Sequence, residues 1–240
     1  MSLSRFRLSS SVGKKFLNGL TGVLLLAFIV AHLAGNLTIF AGQNALNGYA
    51  ALTHSLGPML IVIEVALAVV FLAHAASAIG VWRDGRRARR VSNTRRASKG
   101  GASRQTLASR SMIWTGLALL AFLVIHLWQF RFGPGEHQGY VARLGDREVW
   151  DLWRVVVEVL KQPLWAAFYT AMMVLLGFHL RHGFWSAFQS IGLLGPGLRP
   201  LAFSAALVFA LVVAAGFVAL PLYVYFLVPT PAAGVALVYP

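Results

Sequence analysis

Four histidines stand deep inside long apolar runs: His32, His74, His126 and His179. Ionisable side chains at membrane depth are costly and face an interior cavity or a partner. A hydrogen bond to a neighbouring helix explains one such histidine. Four of them, one on each of four successive apolar runs, call for a shared ligand. His32 lies seventeen residues past Lys15 and His126 sixteen past Arg110, while His74 is sixteen beyond Pro58 and His179 sixteen beyond Pro163. For antiparallel helices these offsets place every histidine about 24–26 Å from its helix start. The result is two levels, His32 with His126 and His74 with His179, separated by roughly 10–15 Å along the membrane normal. Each level then offers one imidazole from each of two helices, which is the donor set of a bis-histidine haem. Zinc would want more ligands per level. The chain has no cysteine, which excludes CxxCH haem attachment, thiolate-held iron–sulfur clusters and disulfides. Two haem b groups held by imidazole alone are the expectation.

The elements that must position these residues are legible in the composition. Hydrophobic residues make up 58% of the 240 and charged residues 12%, far from the roughly 25% charged of a soluble domain. Runs this apolar must satisfy their own backbone hydrogen bonds in lipid, so they are helices. The expected fold is an all-α integral membrane domain over residues 1–240. Five spans are predicted, Lys15–Asn36, Pro58–Trp82, Ser111–Phe130, Pro163–Ala187 and Leu201–Leu227. The first four form a bundle around the haems, and the fifth adds to it. Pro58 and Pro163 suit the first turn of a helix, where a missing N–H costs nothing. Pro221 is expected to kink the fifth helix or end it early.

The net charge of +14 would suit nucleic acid if it lined a face, but it lies between apolar spans and reads as topology. Lys and Arg crowd the N-terminal segment (Arg5, Arg7, Lys14, Lys15) and the second connection (Arg83 to Arg110), whereas the first connection, from Leu37 to Gly57, is uncharged. By the positive-inside bias the N-terminus is cytoplasmic and the C-terminus outside. The Arg-, Ser- and Gly-rich stretch Arg86–Arg104 reads as a mobile linker that sets topology, with contact to anionic lipid or a cytoplasmic partner as a second use. The third connection mixes both signs of charge. With Trp150 and Trp153 it suggests a short interfacial helix.

Among the remaining histidines, His54 and His137 fall near outer loops. His182, one turn past His179, is the competing ligand; nearer the aqueous edge, it would suit a haem propionate, a quinone or a partner subunit. His179 is preferred because its offset from Pro163 equals that of His74 from Pro58. Small residues beside the ligands (Ala31, Ala34, Gly35, Ala73, Ala75, Gly177) leave room for a macrocycle and equally suit close helix packing.

Three stretches carry a family resemblance: the approach from Ser11 to Lys14 and Lys15, the run Ala31-His32-Leu33-Ala34-Gly35-Asn36-Leu37, and the run from Phe178-His179-Leu180-Arg181-His182 through Gly183-Phe184-Trp185-Ser186-Ala187-Phe188 to Gln189. With one histidine on each of the first four spans, nearly the whole chain resembles the five-helix, dihaem cytochrome b subunits that anchor succinate dehydrogenase or fumarate reductase, respiratory complex II. The resemblance implies His74 and His179 as axial ligands of the inner haem and His32 and His126 as those of the outer one. It also implies a flavoprotein subunit and an iron–sulfur subunit on the cytoplasmic side of the inner (cytoplasmic) membrane, with membrane quinone, often menaquinone, as the electron partner. The succinate chemistry of the tricarboxylic acid cycle would then lie on the partner chains.

Glu64 is the one carboxylate inside a predicted span, in its outer half. It would exchange the proton that accompanies quinone chemistry, or stay protonated and bond a neighbouring helix. Arg83 and Arg181 are placed for propionates of the inner haem and Arg131 for the outer, and interfacial snorkelling explains each as well. Two other functions fit parts of the pattern. One is the dihaem anchor of a different quinone-linked dehydrogenase, although those often carry two ligands on one helix. The other is a haem-free transporter using the histidines as a proton relay.

Overall fold

The computed structural model of the chain describes residues 10–88 and 107–229. Its long helices follow the apolar runs: α1 (Ser11–Asn36), α3 (Pro58–Arg87), α4 (Leu107–Phe130), α6 (Pro163–Ser190) and α7 (Arg199–Leu227). Five segments are long and apolar enough to cross a membrane, and they match the predicted spans to within a few residues at most ends. Pro58 and Pro163 open α3 and α6. Pro221 does not end α7, which continues to Leu227. The segments beyond residues 10–88 and 107–229, including Arg5, Arg7 and positions 89–104 of the basic stretch, lie outside the described residues.

Helix ends have local causes. The hydroxyl of Ser10 accepts from Gly13 N at 3.0 Å and caps α1. Gly192, at φ +82, closes α6, with Leu193 N donating to Phe188 O at 3.1 Å and Gly192 N to Gln189 O at 3.2 Å, the paired bonds of a Schellman end.

Both connections expected as loops beside the histidine-bearing helices contain secondary structure. The first holds α2 (Gln43–His54), and the third holds the antiparallel pair β1 (Val141–Leu144) and β2 (Arg147–Trp150) followed by α5 (Leu152–Leu160). The hairpin turns through Gly145 at φ +62 with no positive φ at Asp146, the sign pattern of a type II′ turn. The short helix expected near Trp150 and Trp153 is α5, with Trp153 inside it.

The described residues group into two compact units. The first takes in residues 10–29, 64–88, 107–117 and 177–211, and the second 30–63, 118–176 and 212–229. Both carry large apolar side chains on the outside as well as in the core. Large apolar side chains such as Ile61, Val62, Val65, Val69, Leu72, Val208, Leu211 and Val212 are exposed, whereas Thr21, Ser77, Thr115 and Gln129 are buried. An apolar exterior this continuous marks a surface made for lipid or protein rather than water.

Close approach in the second unit depends on Gly35, where an added Cβ would overlap the Tyr49 ring. The small residue therefore serves the packing of α2 on α1. Replacing Gly35 by alanine is expected to cost about 1–3 kcal/mol through overpacking, seen as a lower thermal midpoint. The cost should largely vanish in a Tyr49→Ala background.

Candidate functional site

In the first unit, α3 supplies His74 and α6 supplies His179. Each ring is held from another helix. The Nδ1 atom of His74 is 3.3 Å from Thr21 Oγ1 on α1, and that of His179 is 3.1 Å from Thr115 Oγ1 on α4. Gly22 and Gly116 lie beside the rings: a Cβ there would make ordinary contact, 3.6 Å from His74 Cε1 and 3.4 Å from His179 Cε1. Ser77, one turn beyond His74, donates to His74 O at 3.0 Å and lies 3.2 Å from Asn18 Oδ1, joining α3 to α1. An ion pair at 2.8 Å between Lys14 Nζ and Asp84 Oδ2 makes a third link between the same helices.

In the second unit, α1 supplies His32 and α4 supplies His126. Their ring centroids are 5.8 Å apart and the planes are perpendicular. Metal–imidazole bonds of about 2 Å on both sides of one ion would put two ring centroids about 6 Å apart, so this separation suits a shared metal. Aromatic rings surround the pair: Phe122, Phe130 and Tyr169 lie 5.6, 5.2 and 6.2 Å from His126, and Phe217 lies 6.0 Å from His32. The Nδ1 atom of His126 is buried without a hydrogen-bond partner. Beside it the fully buried Gln129 accepts from Tyr169 Oη at 2.6 Å through its Oε1.

These observations fit b-type haem. Among the described residues no group of three or more His, Asp or Glu side chains could hold a metal ion, and each unit would offer a cofactor two imidazoles. The two ligand pairs chosen from helix offsets are the pairs that share a unit.

The other sequence candidates are more dispersed. His182 is half-buried with its ring 5.8 Å from Trp185, and the buried Trp185 Nε1 and Gln189 Oε1 nearby have no partner. Arg83, Arg181 and Arg131 are exposed, and the Arg131 guanidinium lies 5.7 Å from the Phe132 ring. Glu64 is half-buried on α3 and groups with the first unit. His137 is exposed, and the exposed His54 stacks on Trp150 at 5.4 Å.

Sequence reasoning missed Thr21 and Thr115, whose signal was a repeated Thr-Gly step. It also missed two buried carboxylates of the second unit. Asp151 accepts from Asn47 Nδ2 at 2.8 Å, Gln43 Nε2 at 3.1 Å and Arg154 N at 3.2 Å. Glu158 accepts from Tyr140 Oη at 2.5 Å and Arg154 Nε at 2.8 Å, and the Arg154 guanidinium lies 4.3 Å from the Tyr140 ring. Comparison with family models, with curated proteins and with solved structures finds no match for this chain.

Proposed function

We propose that this chain is the membrane-anchor cytochrome b subunit of a succinate:quinone oxidoreductase. In this reading His74 and His179 bind an inner haem b, and His32 and His126 an outer one. The observation that carries it is the pairing of the four histidines, two to a unit and each from a different helix, with the Nδ1 atoms of the first pair held by threonines. When bound, the two haems supply stepwise one-electron transfer between an iron–sulfur partner and membrane quinone.

The chain's own residues do the positioning. Four imidazoles fix where the irons sit, and the apolar exterior of the helices keeps water from the path. Phe122, Phe130, Tyr169 and Phe217 give the outer pair a low-dielectric surround. Glu64 is the intramembrane carboxyl placed to exchange a proton with quinone. The cationic loops orient the N-terminus to the cytoplasm of a cell bounded by an inner membrane, where the flavoprotein and iron–sulfur subunits dock.

A pyridine haemochrome assay with protein quantitation is expected to give two haems b per chain. Purification in mild detergent should bring down a covalent-flavin subunit and an iron–sulfur subunit. A chain without a b-type reduced-minus-oxidised band would leave the proton-relay transporter, and a haem-containing chain with other partners would point to a different quinone-linked dehydrogenase.

A further inference from the structure

One dipeptide occurs twice at the same offset from a histidine. Thr21-Gly22 precedes His32 by eleven residues on α1, and Thr115-Gly116 precedes His126 by eleven on α4. Eleven residues are close to three helical turns, so each threonine shares a helix face with an outer ligand. Its hydroxyl nevertheless meets an inner ligand on another helix: Thr21 meets His74 on α3, and Thr115 meets His179 on α6. Both threonines are buried, and the glycine that follows each lies beside the same imidazole.

The direction of these two hydrogen bonds turns on where each hydroxyl proton goes. A threonine hydroxyl has one proton and two lone pairs. A carbonyl acceptor is in reach of each: Leu17 O lies 2.7 Å from Thr21 Oγ1 and Met112 O 3.1 Å from Thr115 Oγ1. With the proton on the carbonyl, only lone pairs remain for the imidazole and Nδ1 of each ring is the donor. A neutral imidazole protonated at Nδ1 presents a bare lone pair at Nε2, the form a metal binds.

We propose that Thr21 and Thr115 are paired positioning residues: each hydroxyl holds its histidine in the Nδ1–H form, and together they set the reduction potential of the inner haem. This rests on the haem reading above. An N–H donated to oxygen makes the imidazole more basic and favours the ferric iron it ligates. Loss of the acceptor should therefore raise the potential.

The experiment is a redox titration of the wild-type complex and of Thr21→Val, Thr115→Val and the double variant. The inner haem is identified as the one missing from His74→Ala. Loss of an outer-shell partner typically costs 10–100-fold in metal affinity. A tenfold loss borne by the ferric state alone raises a one-electron potential by about 59 mV. The expected result is a rise of that order for the inner haem in each single variant, a larger rise in the double variant, no change in the outer haem, and recovery in Thr21→Ser. An unchanged inner potential in valine variants that keep both haems overturns the proposal, as does a serine variant that shifts like valine. If valine prevents assembly, the histidine 15N spectrum of the haem-free wild-type chain decides. Nδ1–H signals for His74 and His179 support the proposal, and Nε2–H signals overturn it. A wild-type complex with no b-type band sinks the haem reading itself and the proposal with it, which is distinguishable from a haem-containing complex whose potentials do not move.

Discussion

His74→Ala and His179→Ala are each expected to halve the haem content of the purified chain, leaving the outer haem spectrum intact. The reason is stoichiometric. On the haem reading each haem would be held by both imidazoles of its unit, and loss of either would leave it one protein ligand short. The reciprocal variants His32→Ala and His126→Ala should remove the other haem, and a chain lacking one ligand from each unit should hold none. Pyridine haemochrome counts on all four single variants test the pairing as well as the ligands. If His74→Ala kept its full haem complement, the pairing by unit would be wrong and the electron-transfer role would go with it. His182 is the control. As a half-buried neighbour one turn beyond His179, its alanine variant should retain both haems.

The second large effect is expected at Asp151, far from any proposed ligand in sequence. Its carboxylate caps α5 and gathers donors from α2 at Asn47 and Gln43, and only 5% of the residue is exposed. Alanine there would strand the buried Asn47 amide and uncap α5. Leaving a buried hydrogen-bonding group without its partner costs about 1–3 kcal/mol, with the cap contributing about 1 kcal/mol. The loss should be local, so hydrogen exchange is the measurement. Amides of Val141–Leu160 should exchange about 100-fold faster or more in Asp151→Ala, while those of α4 and α6 keep their protection. Asp151→Asn, which retains an acceptor oxygen, should lose much less. Exchange rates in the alanine variant equal to wild type would mean that the connection between α4 and α6 is held by apolar packing alone.

The spans and the histidine pairs were legible because both rest on periodicity and length. An apolar run of sufficient length has one solution in lipid, and counting residues from Pro58 and Pro163 converts position into depth. The structure groups the four histidines as that count does. The connecting segments were less legible. Asp151 and Glu158 sit in a stretch of mixed charge that suggests a short interfacial helix and no buried carboxylate, and their burial follows from partners over 100 residues away at Asn47 and Gln43 for one, and from Tyr140 across the hairpin for the other. No local pattern announces such pairings. Thr21 and Thr115 were hidden for a different reason. A threonine in a spanning helix usually bonds its own backbone, as both of these do, and only the facing imidazole reveals the second use. The repeated Thr-Gly step eleven residues before His32 and His126 was nevertheless present in the sequence. Of the two outcomes expected at Pro221, a kink or an early end, the early end does not occur: α7 runs six residues further.

The attachment of α3 bears on how the subunit is assembled. Of its thirty residues only Ser77 is buried, and lipid offers a helix this apolar no hydrophobic incentive to leave the bilayer for its neighbours. What binds it to α1 is a short polar ladder: Lys14 to Asp84, Asn18 to Ser77, Thr21 to His74. With so few polar links, α3 is the helix whose attachment would gain most from a ligand bound at His74. On the haem reading proposed above, iron ligation at His74 would act as the latch that completes the ladder.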